Sequence, residues 1–301
     1  MPQLRWAVKA AVTWPPLNVP ITAALRATLP QGVRDRPALA RYLPRVGMVE
    51  AAMPGGQTLR MWSRGDDGIA SDVFWRGWDG HESETAKPFL QMATSARVTL
   101  DIGAHVGYFT VLASLANPAG RVYALEPLAR VRERLDRNVS LNGLKNVTCL
   151  PLAIGSTHGT AEFFHVEDGI PSSSSLSGAF MRSIVDHDRL ATSQVDVTTV
   201  DRFVAHHGLA GRVDLLKLDT ESTEDEVFRG MVETLASERP AIFCEILQPG
   251  TGHAIEAIIG PLGYEFFLLT DQGPVRAAHI RPDRVWRNFL FSPAAGSPPS
   301  P

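Results

Sequence analysis

Residues 98–107 read V-T-L-D-I-G-A-H-V-G. Val98, Leu100 and Ile102, with the β-branched Thr99, make a short strand run of the kind buried in a sheet, and Asp101 lies near its carboxyl end. Gly103, Ala104, His105 and Gly107 form a turn, after which Tyr108, Val111, Leu112 and Leu115 recur at helical spacing. A strand, a glycine turn and a helix in that order let backbone approach a ligand at a helix N-terminus. The next strand run, R-V-Y-A-L over 121–125, is followed by Glu126, an acid placed to reach the hydroxyls of a ribose. Together the two runs predict a nucleoside pocket.

Outward from this unit, strand and helix alternate. Pro127 suits the first turn of a helix with Leu128, Val131, Leu135 and Val139 as its inward stripe and Asn142-Gly143 as its stop. Strands are expected at 147–152, 213–218, 241–246 and 264–269, with 288–291 as a last edge or inserted strand. A looser stretch holds strand-like 161–166, the serine run 172–177, and 195–198. Thr223 and Glu226 have the spacing of a capping box ahead of a helix through Val227, Met231 and Leu235. This alternation predicts an α/β fold, a mostly parallel sheet with helices on both faces. Upstream, 48–52 and 58–62 flank Pro54-Gly55-Gly56 as a β-hairpin would, and 15–45 reads as short helices and loops. The expected division is an N-terminal helical and hairpin appendage (1–76), an α/β core (77–291) and a disordered Pro/Ser-rich tail (292–301).

The chain of 301 residues is 44% hydrophobic and 20% charged, with a net charge of -3. That is the balance of a soluble globular protein, and it supplies no basic field for nucleic acid. Cys149 and Cys244 fall inside apolar strand runs, where a free thiol packs as a small hydrophobe, so a reducing, cytoplasmic setting is expected. Residues 7–29 are fairly apolar, but Lys9, Arg26, Pro15, Pro16 and Pro20 interrupt the roughly 20-residue apolar helix that a bilayer requires. A secretory cleavage site is also missing. Residues 4–14 read as a short amphipathic helix resting on the domain, with peripheral membrane contact as the alternative.

Ligands of open α/β sheets sit beyond the carboxyl ends of the strands, here occupied by Asp101, Gly103, Glu126, Ala153, Asp219, Glu221 and Glu245. The turn departs from G-x-G-x-x-G, because His105 and Tyr108 stand where the dinucleotide fingerprint has glycine. A pyrophosphate needs several free N–H groups at close range. An amino-acid-bearing sulfonium nucleoside needs instead an acid for its ammonium and a tight turn beneath it. Asp101 is assigned to the ammonium, directly or through water, and Glu126 to the ribose, with a loop anchor and a helix cap as their local alternatives. His105 reads as a local hydrogen-bonding residue, with catalysis as the alternative. On an extended strand Lys217, Asp219 and Glu221 share one face, and three ionisable groups there must pair with each other or with a ligand. Asp219 leads as base or acceptor-positioning residue, followed by Glu221 and Glu245, while Lys217 neutralises a carboxylate. These three carboxylates also permit a hard divalent ion, which no further ligand pattern supports. Glu224, Asp225 and Glu226 complement a helix macrodipole. Phe74, Trp75, Trp78 and Tyr108 form either a sugar-stacking wall or part of a core.

Five segments in order, V-T-L-D-I-G-A-H-V-G-Y-F-T, V-Y-A-L-E-P, R-N-V-S-L-N-G-L, L-L-K-L-D-T-E-S-T-E and I-F-C-E-I, resemble the FkbM-type S-adenosylmethionine-dependent methyltransferases over residues 77–246. A family-like G-x-x-E element lies at 80–84. The family shows E-G-x-E after its fourth strand, and Ser222 replaces that glycine, which implies either a less strained backbone or a different turn. The resemblance implies a class I methyltransferase (Rossmann-like) fold whose final strand inserts antiparallel. It implies S-adenosyl-L-methionine held by Asp101, Gly103, Ala104, His105, Gly107, Glu126 and Ala153. It also implies O-methylation of a hydroxyl on a glycan or secondary metabolite, served by Asp219, Glu221 and Glu245. The alternatives are a nicotinamide-dependent oxidoreductase and a non-catalytic binding protein on the same fold.

Overall fold

The computed structural model describes residues 13–294 apart from 168 and 172. Most of the helix expected over 4–14 and the end of the expected tail lie outside these residues. The N-terminal part contains α1 (Pro15–Thr28), α2 (Gln31–Arg34) and α3 (Pro37–Tyr42), then β1 (Val46–Ala52) antiparallel to β2 (Thr58–Arg64), then α4 (Gly68–Arg76) and α5 (Ser83–Ala93). Helix α1 is longer than expected because Pro15 and Pro16 occupy its first turn, where N–H groups have no helical partner. Among the described residues, no helix is long and apolar enough to cross a membrane. Gly55 and Gly56 take φ 82° and 86° at the hairpin turn, as the sequence requires.

The core follows with β3 (Val98–Ile102), α6 (Tyr108–Ala116), β4 (Arg121–Leu125), α7 (Ala129–Leu141), β5 (Val147–Leu150), β6 (Leu152–Ile154), β7 (Gly159–Val166), β8 (Ser174–Ser175) and β9 (Leu190–Thr198). It continues with β10 (Val213–Leu218), β11 (Ala241–Glu245), β12 (Tyr264–Thr270), β13 (Gly273–Ala277) and β14 (Asn288–Pro293). Eight strands form one sheet in the order β5-β4-β3-β10-β11-β14-β12-β13. Strands β3, β4, β5, β10 and β11 are parallel, and β14 runs antiparallel between β11 and β12. Ser292 and Pro293, assigned to the tail by composition, extend β14 instead. The chain reverses its direction of travel across the sheet at β3 and β10, the switch point that opens a crevice.

Strand alternation divides the interior into two layers. Leu100, Leu216, Ile242, Phe289 and Phe291 pack in one, and Leu215 and Phe243 pack with Phe89, Phe109 and Trp75 in the other. Val49, Leu59 and Met61 of the hairpin belong to the second layer, so the N-terminal part shares the core. Two asparagines, Asn138 of α7 and Asn142 at its C-terminal cap, fasten it: Asn142 accepts from Arg60 N–H and Asn138 from Trp62 N–H, while Asn138 Nδ2 donates to Val106 O in the glycine turn.

Three details differ from the sequence pattern. Pro151 splits the single strand expected over 147–152, because it has no N–H to continue a ladder, and β6 crosses into a second sheet of order β6-β9-β7-β8. The helix after Glu126 starts at Ala129, leaving Pro127 outside it. The helix expected through Thr223 and Leu235 is two short helices, Glu224–Arg229 and Val232–Ser237, and Thr223 makes no side-chain cap bond. At the break a Cβ on Gly230 would lie 2.3 Å from Gly155 O.

Candidate functional site

A cavity of about 390 Å³ opens at the carboxyl ends of β3, β4, β10 and β11. Gly103, His105, Glu126, Asp219, Glu221 and Glu245 line it from the main sheet, and Ala153 joins them from β6. Phe163, Ile170, Pro171 and Leu176 wall one side from the second sheet, and Asp67, Asp72, His81 and Glu82 reach it from the N-terminal part. Seven of the ten predicted site residues therefore meet here.

The glycine turn is shaped by close packing. A Cβ on Gly103, at φ 78°, would lie 1.9 Å from Asp219 O, and one on Gly107 would lie 2.3 Å from Leu135 Cδ1. The N–H groups of Gly103 and Ala104 donate to Leu125 O, that of Gly107 to Ala104 O, and that of His105 to Glu126 Oε2 at 3.1 Å. Glu126 Oε1 accepts from Leu128 N–H at 2.8 Å. Each carboxylate oxygen thus keeps a lone pair for a ligand. Burial raises the Glu126 pKa above the ordinary carboxylate value, against the pull of His105 and these backbone donors. His105 Nε2 lies 2.8 Å from Pro171 O, so that nitrogen carries the proton and ties the second sheet's loop to the turn.

Asp101 does not line the cavity, nor do Ala104 and Gly107, which pack behind the turn. Alternation along β3 turns Asp101 away from the Leu100 and Ile102 layer, and its Oδ2 accepts from Thr110 Oγ1. Only 2% exposed, it is pushed by burial to a pKa of about 6, and it stands opposite Lys217 in the β3–β10 register. The loop-anchoring role fits this geometry, and direct contact with a ligand ammonium does not.

Lys217 is fully buried, with Nζ 3.4 Å from Asp219 Oδ2 and 4.9 Å from the Phe109 ring centroid. Burial alone would strip its charge, but Asp219, Glu82, Glu245 and Asp101 surround it and hold the ammonium well above its ordinary range. Burial followed by the Asp219 carboxylate pushes the acids of Glu221 and Glu245 up. The shared strand face reaches only Asp219, because β10 ends at Leu218. Glu221 and Ser222 sit in the turn at φ 56° and 73°. Ser222 therefore keeps the left-handed turn that glycine would enter freely, and its buried Oγ has no hydrogen-bond partner. Glu224 also departs from the helix-dipole expectation. Its Oε1 accepts from the N–H groups of Thr220 and Ser222 at 3.0 and 3.2 Å and from Thr220 Oγ1 at 3.1 Å, which clamps the turn from beneath. Asp225 and Glu226 pair with Arg229 at the surface.

Four polar residues of the cavity were not assigned from the sequence. Asp67 caps α4 through Ile69 N–H, and His81 lies 3.5 Å from Asp72 and 3.4 Å from Glu82. Burial works to lower the His81 pKa, but the two carboxylates raise it above the ordinary value. Glu82 takes the left-handed φ of 44° and accepts from Asn288 Nδ2 at 3.3 Å. It falls inside the family-like element at 80–84, which reads G-H-E-S-E. Phe74, Trp75 and Tyr108 belong to the core, so a stacking wall is not built from them. Among the described residues, no group of three or more His, Cys, Asp or Glu side chains is arranged to hold a metal ion.

The strand order, with its antiparallel insertion between β11 and β12, and a polar cavity at the switch point define a class I methyltransferase fold. The methyltransferase FkbM domain model matches residues 101–266, and the chain belongs to that family. It is 25% identical over 209 residues to the AMB antimetabolite synthetase AmbE of Pseudomonas aeruginosa, covering 58% of this chain and 10% of that protein. It is 26% identical over 144 residues to Methyltransferase 1 of Beauveria bassiana, covering 44% of this chain and 57% of that protein. The chain thus spans a tenth of one of these relatives and just over half of the other. A methyltransferase FkbM from Methylobacillus flagellatus KT superposes with a TM-score of 0.40 at 14% identity, covering 75% of this chain and 54% of that one.

Proposed function

We propose that the protein is an S-adenosylmethionine-dependent O-methyltransferase acting on a hydroxyl of a glycan or secondary metabolite. The observation that carries this reading is Glu126 at the cavity wall. Both its oxygens are oriented by backbone donors and retain lone pairs for ribose hydroxyls. The N–H groups of Gly103, Ala104, His105 and Gly107 are all engaged within the protein, so the turn offers a pyrophosphate little, which weighs against a nicotinamide dinucleotide. The apolar wall of Ala153, Ile154, Phe163 and Leu176 suits a nucleobase.

When bound, the sulfonium nucleoside supplies an electrophilic methyl group. Asp219, oriented by the Lys217 ammonium, positions the acceptor hydroxyl by accepting its hydrogen bond. Asp219 also takes the hydroxyl proton, while Glu221 and Glu245, which burial and the Asp219 carboxylate push towards the protonated form, hold the acceptor by hydrogen bonds. The second sheet and the N-terminal part wall the cavity on two sides. Calorimetry with S-adenosylmethionine and its demethylated product tests the donor assignment, and no binding at millimolar ligand would remove it. Glu126→Ala should weaken donor binding at least tenfold. Asp219→Asn should lower turnover far more than donor affinity, and an equally active variant would remove its role.

A further inference from the structure

A second recess of about 350 Å³ adjoins the cavity, and Asp66 and Ile170 belong to the walls of both. Four arginines, Arg64, Arg130, Arg134 and Arg137, line it, in a chain whose net charge is -3. Its acids are Asp66 and Glu133. Residues 130, 134 and 137 recur on one face of α7, and Arg64 ends β2 opposite them.

Two of the arginines build the walls. Arg134 donates to Trp62 O at 3.1 Å and pairs with Asp66 at 3.3 Å, and Arg130 Nε donates to Gly169 O at 2.9 Å. The other two are differently placed. Among the described residues, neither Arg64 nor Arg137 forms an ion pair. Arg137 lies 3.5 Å from the centroid of the Trp62 ring, a stack that leaves the edge of the guanidinium free to donate. Arg64 and Arg137 are exposed to solvent, and with the nearer acid already held by Arg134 the four-arginine lining suits a ligand carrying several acceptor oxygens and a negative charge.

We propose that this recess binds an oxyanion of the phosphate type and, resting on the methyltransferase reading above, that the oxyanion is a group of the acceptor. The acceptor hydroxyl then lies past Asp66 and Ile170 in the adjoining cavity, where the carboxylates of β10 and β11 meet it. This defines the acceptor class as an anionic glycan or metabolite.

The test is titration of inorganic pyrophosphate into the full chain, with and without the demethylated donor product. The wild type should bind pyrophosphate, increasingly weakly as salt is raised. The double variant Arg64→Ala/Arg137→Ala should bind it at least tenfold more weakly while keeping its affinity for the donor product. No pyrophosphate binding by the wild type, or equal binding by the double variant, overturns the site. A second arm identifies the source of the anion. Labelled S-adenosylmethionine is supplied with host extract resolved on an anion exchanger, and label should enter the retained fraction and be lost with the double variant. Label confined to the unretained fraction overturns the acceptor assignment and leaves a free anion as the ligand. A wild type that fails to bind the donor product sinks the methyltransferase reading instead, and the pyrophosphate titration still decides the recess.

Discussion

Replacing Glu224 by Gln tests whether the turn that carries Asp219 and Glu221 is held by a carboxyl that resists ionisation. Glu224 is fully buried, and burial, with a smaller push from Asp219, raises its pKa from an ordinary 4.5 to about 7. The folded state therefore holds this proton more tightly than the unfolded chain does. The associated stability is complete below pH 4.5 and is lost as pH rises towards 7. At 1.36 kcal/mol per unit, ionising the folded group costs about 3 kcal/mol above that range. Gln keeps an oxygen for the N–H groups of Thr220 and Ser222 but cannot ionise. Urea unfolding of both proteins from pH 5 to pH 8.5 should show the variant gaining about 2–3 kcal/mol relative to the wild type across that interval. Donor-product affinity should be retained. Parallel stability profiles would show that Glu224 is not a desolvated acid and would refute the account of the turn.

Ser222→Gly should raise stability by about 1 kcal/mol, because it relieves a left-handed side chain at φ 73° and removes a buried hydroxyl without a partner. An unchanged or lower thermal midpoint would contradict that strain. Lys217→Met should cost about 3–5 kcal/mol in chemical denaturation, since it leaves Asp101, Asp219, Glu82 and Glu245 facing one another without their shared cation. A loss below 1 kcal/mol would mean that the carboxylates hold protons in place of the ammonium.

Most strands of the main sheet were legible because runs such as 98–102, 121–125 and 213–218 carry their own boundaries: a glycine, an acid, or a polar turn directly after the last apolar residue. The second sheet was legible only as the strand-like pieces 161–166 and 195–198, because β6 to β9 mix exposed polar positions with few buried ones and nothing local shows that they pair. Pro151 was the readable sign that the chain leaves the main sheet. At the site, strand-end position located Glu126, Asp219 and Glu245, but it could not separate facing into the cavity from facing into the core. Asp101 has the right place in sequence and the wrong face of β3. Glu82, Asp67 and the arginine recess depend on contacts across the chain, such as Glu82 to Asn288 over 206 positions, which local pattern does not carry.

The placement of Asp101 behind the cavity also explains why the buried lysine lies beside the site. Residue 101 of β3 and residue 217 of β10 pair in register, so both side chains enter the layer beneath α6. Asp101 supplies a negative charge under the glycine turn, Lys217 answers it, and Asp219 takes the lysine's other side at the cavity. The close approach of Gly103 to Asp219 O fixes the two strand ends against each other. The glycine turn and the carboxylates beyond β10 and β11 are thereby joined through one buried cation. A shift of either strand end would move the Glu126 side and the Asp219 side of the cavity together.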